Sequence, residues 1–168
     1  MVAMCYTNEA RPPLPPIMGG STDEDDLVLT ATDGNRFRAY AARAAMPTGA
    51  GVVVIPDPRG VHPFYKELVR RFAQAGMDSV VIDYIDRTAG MSERPENFDI
   101  RTAIGQTKPD AIAADVAAGV AALAAMVVSP ALTSTTGAPI NSSFRLRLSV
   151  MCITSWCLPG SVEPRFSA

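Results

Sequence analysis

Two apolar runs stand out along the chain, GVVVI at 51–55 and the VVI inside MDSVVIDY at 77–84. A segment that is apolar at every position, rather than at every second one, is the pattern of a strand covered on both faces, as in a parallel sheet. Between the two runs, Pro63 suits a first helical position, Phe64, Leu68 and Phe72 recur every four residues, and Gly76 supplies a stop. Strand, helix and strand at this spacing form the right-handed crossover unit of an α/β sheet, which is the expected fold class. From Pro109, PDAIAADVAAGVAALAAM places Ile112, Val116, Val120 and Leu123 on one stripe and predicts a second crossover helix. Ahead of both units, LVLTATDGNRFRAYAA reads as two short strands around Asp33-Gly34, a strong hairpin signal.

The pattern breaks down at both ends. RPPLPP suits an extended polyproline segment, read as a plain leader in preference to an SH3-type ligand, and STDEDD adds four acids, expected to be a solvated run. Residues 1–25 are therefore expected to be a flexible leader, 26–127 a partial α/β domain and 128–168 a Ser/Thr-rich tail of uncertain order. Residues 85–107 read as a long, polar, mostly irregular connection, of a length that is often functional. A third buried strand should follow the second helix, and none is obvious. From Ser129 onward 12 of 40 residues are Ser or Thr, against 6 of 88 between Ala41 and Val128, so two kinds of sequence meet there. FRLRLSVMCI alternates well enough to be a strand.

Composition narrows the function classes. With 168 residues, one domain of ordinary size is enough, and a net charge of -2 gives no basic field for nucleic acid. The N-terminal twenty residues show no basic start followed by a long apolar stretch, so neither a signal peptide nor a membrane span is expected, and the cytoplasm is the default address. Cys5, Cys152 and Cys157 are too few and too scattered for a disulfide framework or a zinc site; no metal and no cofactor are expected. Neither GxGxxG nor GxxxxGK[ST] occurs, which argues against a nucleotide site.

The stretches VVVIPDPRGVHPFYKELVRRFAQAGMDSVVIDYIDRTAG and DAIAADVAAGVAAL resemble the dienelactone hydrolase family of α/β-hydrolases, over roughly Asp26 to Ala125. The resemblance implies an incomplete α/β-hydrolase-like sheet, with an N-terminal hairpin, two crossover helices and an irregular tail. It also implies that the turn after GVVVI lies beside an active site, with Asp57, Pro58, Arg59 and Gly60 in that turn. Family members commonly carry Glu where this chain has Asp57. The family's D-x-x-x-R appears as Asp83 and Arg87, the Arg being a position that in some members holds a substrate carboxylate; a surface Arg is the plainer reading.

Such a turn carries a chemical expectation. Backbone N–H groups leaving a strand and entering a helix are unpaired donors, and with the helix dipole they can stabilise an oxyanion formed in acyl transfer. The second half of that hole belongs to a nucleophile elbow, and the base and acid follow it in chain order. The nearest likeness to the family's Gly-Phe-Cys-x-Gly-Gly is SWCLPG, with Ser155 and Pro159 where glycines are needed, so Cys157 is the weak candidate nucleophile against an ordinary thiol. Eleven residues follow Cys157, and none is His. His62, the one histidine, precedes it and is expected to cap a helix or bond a carboxylate; Asp57 and Arg59 are expected to pair. The resemblance thus implies hydrolysis of a small-molecule lactone or carboxylic ester through an acyl-enzyme, with no credible triad here and an inactive chain expected, its C-terminus truncated or out of frame. The alternative is a non-catalytic binding module that self-associates through an exposed edge of MDSVVIDY or GVVVI.

Overall fold

The computed structural model describes residues 10–15, 17, 19–95, 97–128 and 147–152. The strands are β1 Ser21–Thr30, β2 Arg36–Ala44, β3 Ala50–Ile55, β4 Met77–Ile82 and β5 Arg147–Cys152. The helices are α1 Pro63–Gln74, α2 Asp86–Ala89, α3 Ile100–Gly105 and α4 Pro109–Val128. The described strands form one sheet in the order β1-β2-β4-β3-β5. β1 and β2 are an antiparallel hairpin closed over Asp33-Gly34, where Gly34 has φ +85. β2 runs antiparallel to β4, whereas β3 is parallel to both β4 and β5.

The apolar runs are covered on both faces, as their composition requires. On one face α1 packs Phe64, Tyr65, Val69 and Ala73 against Tyr40, Ala42, Val52, Val54 and Val81. On the other, Leu123 of α4 meets Phe37, Ala39, Ala41, Val53, Val80 and Ile82. Alternate residues of β3 and β4 thus feed opposite layers, and each valine or isoleucine so buried contributes about 1.5–3 kcal/mol. On α1 the buried stripe is rotated from the predicted one: Leu68 and Phe72 are only partly buried, while Tyr65 and Val69 are the inner residues. On α4, Gly119 lets the backbone approach the sheet, since a Cβ there would lie 3.0 Å from Ile82 Cγ2 and 3.3 Å from Val53 Cγ1. α4 is long and apolar enough, by length and composition, to cross a bilayer, and only 17% of that apolar stretch is buried against the sheet.

Four expectations change. The acids of STDEDD are exposed, as expected, but they lie in β1 rather than in a leader ahead of the fold, and cations from α1 meet two of them: Arg70 Nε donates to Glu24 at 2.7 Å and Lys66 Nζ to Asp26 at 2.5 Å. Burial would raise the Glu24 carboxyl, but hydrogen bonds from Ser21, Arg70 and Tyr40 outweigh it and bring the pKa down to about 2. The 85–107 connection holds α2 and α3, the latter capped by Asp99, whose side chain accepts from Thr102 N–H. A third parallel strand does exist, β5, inside the alternating FRLRLSVMCI segment. Finally, β3 and β4 are both interior, so neither GVVVI nor MDSVVIDY is an exposed edge; among the described strands the edges are β1 and β5.

Candidate functional site

β3 connects through α1 to β4 on one side, and β4 connects onward to β5 on the other side of β3. The chain reverses its direction of travel across the sheet there, and α1 and α4 lie on opposite faces. In open α/β sheets the crevice outside the carboxyl ends of strands at such a reversal is where ligands bind. The turn 56–62, between β3 and α1, therefore borders the candidate site. The residues after Cys152, including Ser155, Cys157 and Pro159, lie outside the described residues.

The turn is shaped by its own side chains. Asp57 Oδ1 accepts from the Arg59 backbone N–H at 2.9 Å, and both carboxylate oxygens meet the Arg59 guanidinium, Oδ2 at 2.6 Å from Nη2. The expected Asp57–Arg59 pair is thus formed within the turn. Burial pushes the Asp57 carboxyl up, but the Arg59 bonds prevail and hold it below the usual carboxylate range. Tyr65 Oη accepts from Asp57 N–H at 2.9 Å, which fastens the start of the turn to α1. Gly60 takes φ +77, and Val61 N–H donates to Asp83 Oδ2 at 3.1 Å.

These bonds change what the turn can do. The N–H groups of Asp57, Arg59, Gly60, Val61, His62, Phe64, Tyr65 and Lys66 all have intramolecular acceptors, and Pro56, Pro58 and Pro63 have no N–H to offer. The expectation of open main-chain donors for an oxyanion is therefore not met in this conformation. Two of these acceptors are carboxylates, Asp57 for the Arg59 N–H and Asp83 for the Val61 N–H. Pro58, counted in the oxyanion-side turn, cannot donate at all.

His62 is the N-cap of α1, its Nδ1 accepting from Phe64 N–H at 3.3 Å, and its ring packs edge-on against Tyr65 with centroids 4.8 Å apart. A neutral imidazole that accepts at Nδ1 carries its proton on Nε2. That Nε2 is buried and has no hydrogen-bond partner among the described residues. Burial, followed by the nearby Arg59 charge, lowers the His62 pKa from 6.5 to about 4. The depressed pKa means that between those two values the unfolded chain binds a proton that the folded one refuses. Stability from this group is complete above about pH 6.5 and is lost as pH falls through the window toward 4. His62→Asn keeps a capping oxygen and removes the titration, so its urea midpoint is expected to fall less than wild type between about pH 7 and pH 4; equal pH slopes would contradict this.

Arg87 sits elsewhere. Its guanidinium donates to Asp115 Oδ1 at 2.7 Å, to Asp33 Oδ2 at 2.6 Å and to the Ala111 carbonyl at 3.2 Å. It thereby ties the β1–β2 turn to α4, and Asp115, fully buried, also accepts from Asn35. These bonds raise the already high Arg87 pKa further, so its charge is permanent and structural in this arrangement. A substrate carboxylate would have to displace two acids.

The residue that sequence reasoning missed is Arg94. Its guanidinium donates to Asp83 Oδ1 at 2.7 Å, Asp83 Oδ2 at 3.0 Å, Asp86 Oδ1 at 2.9 Å and the Arg59 carbonyl at 2.8 Å. Arg38 completes the group with bonds to Asp86 at 2.7 Å and Asp83 at 3.4 Å. The available signal was the pair Asp83 and Asp86 at the end of a buried strand, since two buried carboxylates require cations.

A model of the dienelactone hydrolase family matches residues 37–137. No curated protein matches the chain. Among solved structures, m3DLH superposes with a TM-score of 0.55 at 19% identity, over 80% of this chain and 50% of that one, a likeness of fold. A dienelactone hydrolase candidate from Klebsiella pneumoniae gives 0.47 at 24% identity, over 62% of this chain and 45% of its own. A dienelactone hydrolase-like promiscuous phosphotriesterase from metagenomic libraries gives 0.47 at 21%, over 64% and 44%. The chain therefore spans about half the length of these solved structures.

Proposed function

The chain belongs to the dienelactone hydrolase family, and from that premise we propose that it carries the β3-turn side of a site for carboxylic esters or lactones but does not, within these 168 residues, turn such substrates over. One observation carries this reading. Acyl transfer requires an imidazole nitrogen free to accept the nucleophile's proton, and the one imidazole here has Nδ1 committed to Phe64 N–H and its remaining proton on Nε2. With a pKa of about 4 it is also too weak a base for work near neutral pH. The sealed main-chain donors of the turn point the same way, because an oxyanion would find no free N–H between Asp57 and Lys66.

The geometry suits a shaping role. The Asp57–Arg59 pair presents a fixed charge pattern at the reversal point of the sheet, and family resemblance makes a small ester or lactone the ligand class it would border. The test is acylation of the purified chain by p-nitrophenyl acetate. The expected result is no stoichiometric burst of p-nitrophenolate and no difference between wild type and Cys157→Ala. An acetyl group found on Cys157, with turnover, would refute the proposal.

A further inference from the structure

Gly90–Pro95 runs over the surface at the carboxyl edge of the sheet, with Gly90, Met91, Ser92, Glu93 and Pro95 exposed. One side chain in it turns inward: Arg94, 9% exposed. An exposed strap that sends a single guanidinium into the interior is fastened by that group, and the acceptors show what it is fastened to. Two are the carboxylates of Asp83 and Asp86, and the third is the Arg59 carbonyl in the turn bordering the site. Asp83 in turn accepts from Val61 N–H, two residues further along the same turn. Arg94 and Asp83 together close over Gly60, where a Cβ would lie 2.0 Å from Asp83 Oδ2 and 2.1 Å from Arg94 Nη1. Arg38 Nη2 bonds the Ser92 carbonyl at 3.2 Å, and the Arg94 guanidinium lies over the Phe98 ring, 5.7 Å from its centroid, so the strap is held at Ser92 as well as at its anchor.

We propose that Arg94 is a positioning residue of the candidate site, a guanidinium staple by which the Gly90–Pro95 strap fixes the Arg59–Val61 backbone and, through it, the placement of the Asp57–Arg59 pair. The proposal rests on the reading that this turn borders the ligand crevice, but its mechanical content is independent of any turnover. The two terminal nitrogens of the fork span four acceptor atoms on three residues; an ammonium in its place keeps the charge but, with its donors on one nitrogen, loses that span. The strap and the turn are therefore one unit: freeing the strap frees the turn while the sheet stays intact.

The test compares wild type, Arg94→Lys, Arg94→Ala and, as a control on the same connection, Arg101→Ala, by amide hydrogen exchange and by NMR titration of His62. In both Arg94 variants the amides of Gly60 and Val61 are expected to exchange roughly tenfold faster or more, as loss of charged hydrogen bonds at that spot implies. Val80 and Val81 in β4 keep wild-type protection, and the His62 titration midpoint moves upward as Asp83 loses its cation and the turn loosens. Arg101→Ala changes none of these. Wild-type protection of Gly60 and Val61 in both Arg94 variants, or a rise shared equally by β4, overturns the proposal. Because the readout is the turn's own amides, a negative result here is separate from any acylation of Cys157.

Discussion

Gly60→Ala is expected to be among the most damaging single substitutions in the chain. Two costs combine. At φ +77 an L side chain is strained, worth roughly 1–2 kcal/mol. The new methyl would also sit 2.0 Å from Asp83 Oδ2 and 2.1 Å from Arg94 Nη1. Those atoms are side-chain ends, yet they are not free to swing aside, because Asp83 is held by Val61 N–H and Arg94 by three acceptors. Displacing them adds about 1–3 kcal/mol, as overpacking commonly does. A total of roughly 2–5 kcal/mol is a large share of the 5–15 kcal/mol that holds an ordinary domain together. Gly34→Ala is the matched control: φ is +85, but nothing lies within 4 Å, so only the conformational part applies. Urea melts of the two variants should differ widely; similar midpoints would mean that the cluster around Gly60 is looser than described.

Asp83→Ala should rank with it, for an electrostatic reason. Asp83 is fully buried and receives Arg94 through two bonds, Arg38 at 3.4 Å and Val61 N–H. Removing the carboxylate leaves a buried guanidinium short of its counter-charge and a main-chain donor without an acceptor, a class of change that costs about 3–5 kcal/mol. Adding Arg94→Met should recover part of that loss, since the stranded cation goes too and the two residues are in contact. Denaturant titration of the single and double variants checks both statements. A double variant as unstable as the sum of the singles would show that the two side chains act independently.

Much of the α/β frame was legible because its signals are local. The apolar runs at 51–55 and 80–82, the Asp33-Gly34 hairpin and the helical spacing on α4 are each signals from residues near one another in the chain. What was hidden depends on partners far along the chain. Nothing near STDEDD shows that Lys66 and Arg70 will pair with Asp26 and Glu24, two of its four acids, where they lie in β1. Arg87 looked like an available cation until Asp33 and Asp115, from opposite ends of the domain, closed on it. For the turn, the sequence showed a strand, a Gly and a helix start, the usual makings of an anion cradle, but not that Asp57 and Asp83 would occupy its donors. For His62 the sequence left capping a helix and bonding a carboxylate both open; Pro63 at a first helical position made the cap legible, and the structure realises it.

The place of β5 in the sheet bears on how the chain reaches its fold. Ala50 of β3 pairs with Arg147, roughly a hundred residues downstream, whereas β1 and β2 meet across a tight turn. During synthesis the hairpin and the first crossover unit can assemble early, but the β5-facing side of β3 stays uncovered until residues 147–152 have been made. Until then β3 is an apolar edge with unpaired backbone, the kind of strand that invites pairing with another chain.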